Sequence, residues 1–152
     1  MDLQLTHRGD YAVRAAIALA YDGSRGSYRK IREVSSQMSI PLRYTQEILT
    51  YLMKAGLVEA RAGKQGGYRL VREPAAISLL EVVEAAEGPL RLERCTLSGG
   101  PCHWEHTVCA VHAMWEQANA ALVASLHGQT LAKVLEVDSR LRARHPLHKE
   151  ED

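Results

Sequence analysis

Hydrophobic and polar positions along this chain repeat with two periods, and the two together predict most of its elements. The run YAVRAAIALA, from Tyr11 to Ala20, is rich in alanine and aliphatic residues, with Thr6 as a suitable N-cap and Gly23 as a stop. It predicts a first helix from about Thr6 to Tyr21 that is buried almost all round. A basic link, GSRGSYRK, leads into a second helix around Lys30–Gln37. Met38-Ser39-Ile40-Pro41 then breaks the chain, and a third helix runs to about Ala55, closed by Gly56. Within it Tyr44, Ile48, Leu52 and Ala55 recur at helical spacing and are expected to face the core. Arg43, Gln46, Glu47, Thr50 and Lys54 fall on the other side.

Beyond Gly56 the period shortens to two. Leu57–Arg61 and Gly67–Val71 read as strands joined by Ala62-Gly63-Lys64-Gln65-Gly66, a connection suited to a hairpin. Two short helices joined by a tight turn, the second polar on its outer face, make a helix-turn-helix, and a hairpin directly after it makes a wing. Ser78-Leu79-Leu80-Glu81 is a capping box, predicting a helix over roughly Leu79–Glu87 that ends at Gly88-Pro89. Val108, Val111, Trp115, Ala118, Leu122 and Ser125 then recur at spacings of three and four, reinforced by Met114, Ala121 and Leu126. That stripe predicts a long amphipathic helix ended by Gly128. Thr130 caps a last helix, on which Leu131, Val134, Leu135 and Leu141 continue the apolar face. The tail ARHPLHKEED is expected to be mobile.

The fold class expected is mainly α with a small β-hairpin: a winged helix-turn-helix plus a long C-terminal dimerisation helix. The division expected is 1–73 for DNA binding, 74–107 for a connecting helix and cysteine-rich loop, and 108–145 for the dimerisation and last helices. A long amphipathic helix after a small DNA-reading unit suits a homodimer, because half-sites on duplex DNA favour two-fold partners.

Charge sharpens this picture. The formal net charge is only +1, but residues 1–72 hold twelve Lys/Arg against six Asp/Glu, while residues 73–152 hold seven against twelve. A basic half joined to an acidic one points to a polyanion-binding module with an appendage. The start of the chain lacks the apolar stretch of a signal peptide and no run reaches membrane-spanning length, so a cytoplasmic protein with no membrane partner is expected. The sequence has no phosphate-binding glycine loop and no nucleophile–base pair, so an enzyme is not expected. Base reading falls to Arg43, Tyr44, Thr45 and Gln46 on the third helix, with Arg grasping guanine and Gln adenine bidentately. Arg29, Arg61, Lys64 and Gln65 complete the expected DNA-contacting set.

The three cysteines of the chain, Cys95, Cys102 and Cys109, lie within the stretch CTLSGGPCHWEHTVCAVH, with six residues in each gap. Thiolates are soft ligands suited to zinc and above all to iron–sulfur clusters. An odd count argues against a self-contained disulfide framework. Three cysteines leave a fourth ligand to be found. His112 is the nearest candidate, one helical turn after Cys109; His103, Glu105 and His106 stand in the loop. A Cys3His set also suits tetrahedral zinc, and metal-free cysteines could act as a thiol switch.

In order and spacing the whole arrangement resembles the iron–sulfur winged-helix repressors of the IscR/NsrR/RirA type. The similarity runs through GDYAVRAAIALA, IPLRYTQEILTYLMKAGLVEARAG, GGYRLVREPAAISLLEVVEAAEG and the three cysteines. It implies a homodimeric transcription factor whose cluster, [2Fe–2S] or [4Fe–4S], governs operator binding in response to redox state, nitric oxide or iron–sulfur supply. The resemblance also implies a histidine ligand at the offset of His112, or an acidic ligand from the partner's first helix at the position of Asp10. Two departures stand out. The second cysteine gap in this family usually has five residues, and Ala62 replaces the arginine that commonly precedes the first glycine of the wing. Arg61, Lys64 or Gln65 is therefore expected to substitute in the wing's contact with DNA.

Overall fold

The computed structural model describes residues 6–21, 27–90 and 109–144. It contains helices α1 (His7–Ala20), α2 (Ile31–Gln37) and α3 (Leu42–Lys54), then strands β1 (Val58–Arg61) and β2 (Gly67–Leu70). A single 3-10 turn, Pro74–Ala76, leads to α4 (Leu79–Glu87), α5 (Ala110–Gly128) and α6 (Leu131–Arg144). The expected winged-helix class, mainly helical with one small hairpin, is the observed one. The cysteine loop over residues 91–108 and the tail from residue 145 lie outside the described residues.

The core is built around α1. Ala12, Ala15, Ala16, Ala18, Leu19 and Ala20 are all buried, as the alanine-rich run required. Around them pack Val34 of α2, Ile48, Leu49 and Leu52 of α3, Val82 and Ala86 of α4, and Leu131 of α6. Thr6 caps α1 by accepting a hydrogen bond from the Arg8 amide at 3.2 Å.

The third helix corrects one expectation. Its buried stripe is Thr45, Ile48, Leu49 and Leu52, whereas Tyr44 is 49 % exposed and Ala55 is also exposed. Ile48 and Leu52 belong equally well to either of two adjacent stripes, since positions three and four apart share a face. Thr45 settles the choice because it is small and its hydroxyl is satisfied internally: Oγ1 donates towards the carbonyls of Pro41 at 3.2 Å and Ile40 at 3.4 Å.

β1 and β2 pair antiparallel, with Val58 opposite Leu70 and Arg61 opposite Gly67. Arg29 and Tyr68 exchange two backbone hydrogen bonds of 2.8 Å, so the segment before α2 forms a third edge on the hairpin. Gly67 is obligatory there. Its φ is +149°, and a Cβ would lie 2.3 Å from the Arg29 carbonyl oxygen.

A second backbone clasp ties the C-terminal helices to the body. The Leu79 amide donates to Gln129 O at 2.7 Å, and the Leu131 amide donates to Ile77 O at 2.9 Å. The clasp fixes the junction of α5 and α6 against the start of α4 and buries Leu131. From that junction α6 runs back over α1, with Val134 and Leu135 half-buried. Leu141, expected to continue the apolar face, is 53 % exposed. α5 has no buried residue: Trp115, Asn119, Val123 and Leu126 are half-covered by the chain, while Val111, Met114, Ala118, Ala121, Leu122 and Ser125 are exposed. Val108 lies outside the described residues. Among these helices none is long and apolar enough to cross a membrane.

The capping box of α4 is complete. Ser78 Oγ accepts from the Glu81 amide at 3.2 Å, and the Glu81 carboxylate accepts from the Ser78 amide at 2.9 Å. Burial pushes the Glu81 carboxyl upward, but the Ser78 amide, the Arg72 guanidinium and the Ser78 hydroxyl outweigh it and hold the group below its ordinary value. A carboxyl lowered on folding stabilises the protein above its unfolded value, and that contribution is lost as pH falls through the folded one. Ser78→Ala is expected to cost about 1 kcal/mol at neutral pH, measured by urea unfolding. The difference from the parent should shrink on acidification through the carboxylate range.

Candidate nucleic-acid interface and cysteine segment

The face that the sequence expects to meet DNA is assembled from the exposed side of α3 and the hairpin. Arg43, Tyr44, Gln46 and Glu47 are exposed on α3. The Tyr44 ring centroid lies 5.9 Å from that of Tyr11, in a tilted pair that steadies the start of the helix against α1. Thr45 must be withdrawn from the base-reading set: it is 0 % exposed and its hydroxyl is committed to backbone carbonyls.

Arg29 must be withdrawn as well. Its Nη1 donates to Ala18 O at 2.8 Å and to Gln37 Oε1 at 2.6 Å, its Nε is 3.8 Å from Glu33, and its side chain is 16 % exposed. It ties the end of α1 to α2. The sequence displayed its charge but not these partners.

At the wing, Lys64 and Gln65 are exposed at the tip, where Gly63 takes a φ of +98°. Lys30 Nζ donates to Gly63 O at 3.0 Å and fastens that tip to the start of α2. Between the two lies a cleft of about 390 Å³ lined by Tyr28, Lys30, Glu33, Arg61, Lys64 and Gln65. Arg61 and Lys64 are the cations there that suit a polyanion backbone, while the Glu33 carboxylate accepts from the Lys30 amide on the α2 side.

The base of the wing carries a network that the sequence reading missed. Tyr28 Oη donates to Glu59 Oε1 at 2.8 Å, and Arg69 Nε donates to the same oxygen at 2.5 Å. The guanidinium carbons of Arg69 and Arg61 lie 4.6 and 5.7 Å from the Tyr28 ring centroid, within cation–π range. The hydrogen bond to Glu59 raises the Tyr28 phenol. The same bond, then that from Arg69, lowers the Glu59 carboxyl. One clue was in the sequence: Glu59 and Arg69 stand directly opposite in the hairpin register, an attractive cross-strand pair. Arg69 is thereby neutralised, whereas Arg61 is exposed and held over an aromatic face beside Ala62.

Of the sequence-predicted ligands, Cys95 and Cys102 lie outside the described residues, as do His103, Glu105 and His106. Cys109 is the N-cap of α5, and its Sγ accepts from the His112 amide at 3.5 Å. His112 is exposed one turn on, with Nε2 3.2 Å from Glu116 Oε1. Among the described residues no three candidate ligands converge. Asp10, the alternative ligand, is held by Arg14, whose Nε and Nη2 each lie 3.0 Å from its carboxylate.

A family model described as Rrf2, iron-dependent transcriptional regulator, matches residues 5–137. The chain is 30 % identical over 133 residues to the HTH-type transcriptional regulator IscR of Escherichia coli O1:K1, covering 88 % of this chain and 80 % of that protein. Among solved structures, T. potens IscR superposes with a TM-score of 0.71 at 26 % identity, covering 91 % of this chain and 90 % of that one. The global cysteine regulator CymR of B. subtilis gives 0.75 at 23 % identity, covering 90 % and 98 %, and so shares the fold.

Tyr28→Phe removes a donor from Glu59 while leaving the ring beneath the two arginines. The Glu59 carboxyl is expected to move up towards its ordinary value, read from the pH dependence of its side-chain carbon shift by NMR.

Proposed function

The chain belongs to the Rrf2 family of iron-dependent transcriptional regulators, and on that premise we propose that it is a homodimeric repressor controlled by an iron–sulfur cluster. Membership makes it a DNA-binding transcriptional regulator and not an enzyme. The operator has two-fold symmetry, and each half-site is read by one copy of α3 and its wing. Arg43 and Gln46 discriminate bases, Tyr44 borders them, and Arg61, Lys64 and Gln65 contact the flanking backbone and groove. The localisation that goes with this role is the cytoplasm.

The proposal rests above all on the position of Cys109, which caps a helix that has no buried residue and whose apolar face is exposed. Val111, Met114, Ala118, Leu122 and Ser125 on that face pair with the same residues of a second copy. A ligand placed at the start of the pairing helix acts directly on the separation of two recognition helices. The donor chemistry fits such a cluster. Cys109 offers a soft sulfur donor at the start of α5. His112 follows on the same face, braced by Glu116 as metal-ligating histidines commonly are by a carboxylate. Cys95, Cys102, Cys109 and His112 are the proposed ligand set. The grip of Arg14 on Asp10 favours His112 over Asp10 of the partner subunit. When bound, the cluster supplies a centre open to oxidation, nitrosylation or loss. Cys109 and His112 carry any such change into the first turn of α5.

Protein purified without oxygen is expected to be brown, with matched iron and sulfide, and to be bleached by Cys102→Ala. Colourless protein with about one zinc per chain, even after anaerobic reconstitution, would replace the cluster by structural zinc. Colourless, metal-free protein would leave a thiol switch. On the DNA side, Gln46→Ala is expected to relax base preference at one position, whereas equal weakening on every sequence would remove it from the reading set. Lys64→Ala should weaken binding about equally on all sequences and lower the salt slope of log K by about 1.

A further inference from the structure

Glu87 joins the DNA-reading helix to the root of the cysteine segment. It is the last residue of α4, and Gly88-Pro89-Leu90 lead on from it towards Cys95. Its Oε1 accepts from the Gly9 amide at 2.9 Å and from the Thr6 hydroxyl at 2.5 Å. A residue of α4 therefore completes the N-terminal cap of α1, where a carboxylate also meets the positive end of the helix. Gly9 fits the arrangement, because a Cβ there would lie 2.5 Å from that oxygen.

The contacts continue to α3. Glu87 Oε2 lies 3.9 Å from Arg8 Nη2, and the Arg8 guanidinium carbon lies 5.5 Å from the Tyr51 ring centroid. Tyr51 Oη in turn donates to Glu47 Oε1 at 3.1 Å. Glu47 shares the exposed face of α3 with Arg43 and Gln46. The Leu90 end of the path is held too: its amide donates to Glu84 Oε1 at 3.0 Å, and its carbonyl accepts from Asn119 of α5 at 3.4 Å. The base of the cysteine segment thus touches α4, α5 and, through Glu87, α1.

We propose that Glu87 is a positioning residue for DNA recognition, acting through Arg8 and Tyr51 to set the outward side chains of α3 in register with the root of the cysteine segment. This rests on the reading that cluster state governs operator affinity. The arms are short and partly exposed, with Arg8 44 % exposed, so the relay adds little to folding stability. What it transmits is direction: a planar guanidinium stacked on a ring moves with the carboxylate that holds it.

The test uses the full-length protein with and without its cluster, on one operator duplex, by fluorescence anisotropy. Glu87→Gln keeps an acceptor for Thr6 and Gly9 but removes the charge that holds Arg8. Arg8→Gln leaves the α1 cap intact. In the parent the two forms should differ in affinity by about fivefold or more, and in each variant they should converge to within about twofold. Iron content and helical circular dichroism should match the parent. The double variant should lose no more of the difference than either single one, as members of one path do. A parent that shows no difference overturns the cluster-control reading and the relay with it. A parent that responds, with Arg8→Gln responding equally, overturns the relay alone.

Discussion

Everything in this molecule depends on how closely other elements approach α1. Five of its buried residues are alanines, and α2, α3, α4, α6 and β2 all pack against it. Helix axes separate according to the side chains between them, so short side chains on several faces let one helix serve as a common wall. The helix proposed to read DNA and the helix that leads into the cysteine segment lie against that same wall. A larger residue at Ala15 or Ala16 would push one of them away, because cores this dense do not absorb added volume cheaply.

Electrostatics divides the basic half of the chain into two populations. Arg14, Arg29, Arg69 and Arg72 are spent on Asp10, on the Ala18 carbonyl and Gln37, on Glu59 and on Glu81. Arg43, Arg61 and Lys64 point outward. The charge excess of residues 1–72 therefore overstates the cations free to meet phosphates. Part of that charge is internal mortar, placed where strands and helices must hold a fixed angle.

Much of the fold was legible because its signals are local. The Ser78–Glu81 box, the Gly56 stop and the hairpin connection over residues 62–66 each follow from steric or hydrogen-bonding rules that act over a few residues. The failures had a different origin. Tyr44 and Thr45 were exchanged because helical spacing leaves two neighbouring stripes compatible with Ile48 and Leu52, and only a long-range contact decides between them. Arg29 was misassigned because a charge in the sequence carries no record of its partner. The Glu87 cap on α1 and the backbone clasp between residues 77–79 and 129–131 join positions far apart along the chain, beyond the reach of any periodicity. At the cysteine segment the spacing was legible, and Cys109 as the cap of α5 is a detail that only coordinates supply.

That clasp gives α5 the mechanics of a lever. Its C-terminal end is pinned by two backbone hydrogen bonds at Gln129 and Leu131, while Cys109 stands at the far tip. Nineteen helical residues make an arm of about 28 Å. A pivot of about 5° at the pinned end would sweep the tip through roughly 2.5 Å on an arm of that length. Conversely, a displacement of one bond length at the tip reaches the fulcrum as a rotation of only a few degrees with a large mechanical advantage, applied where α4 begins.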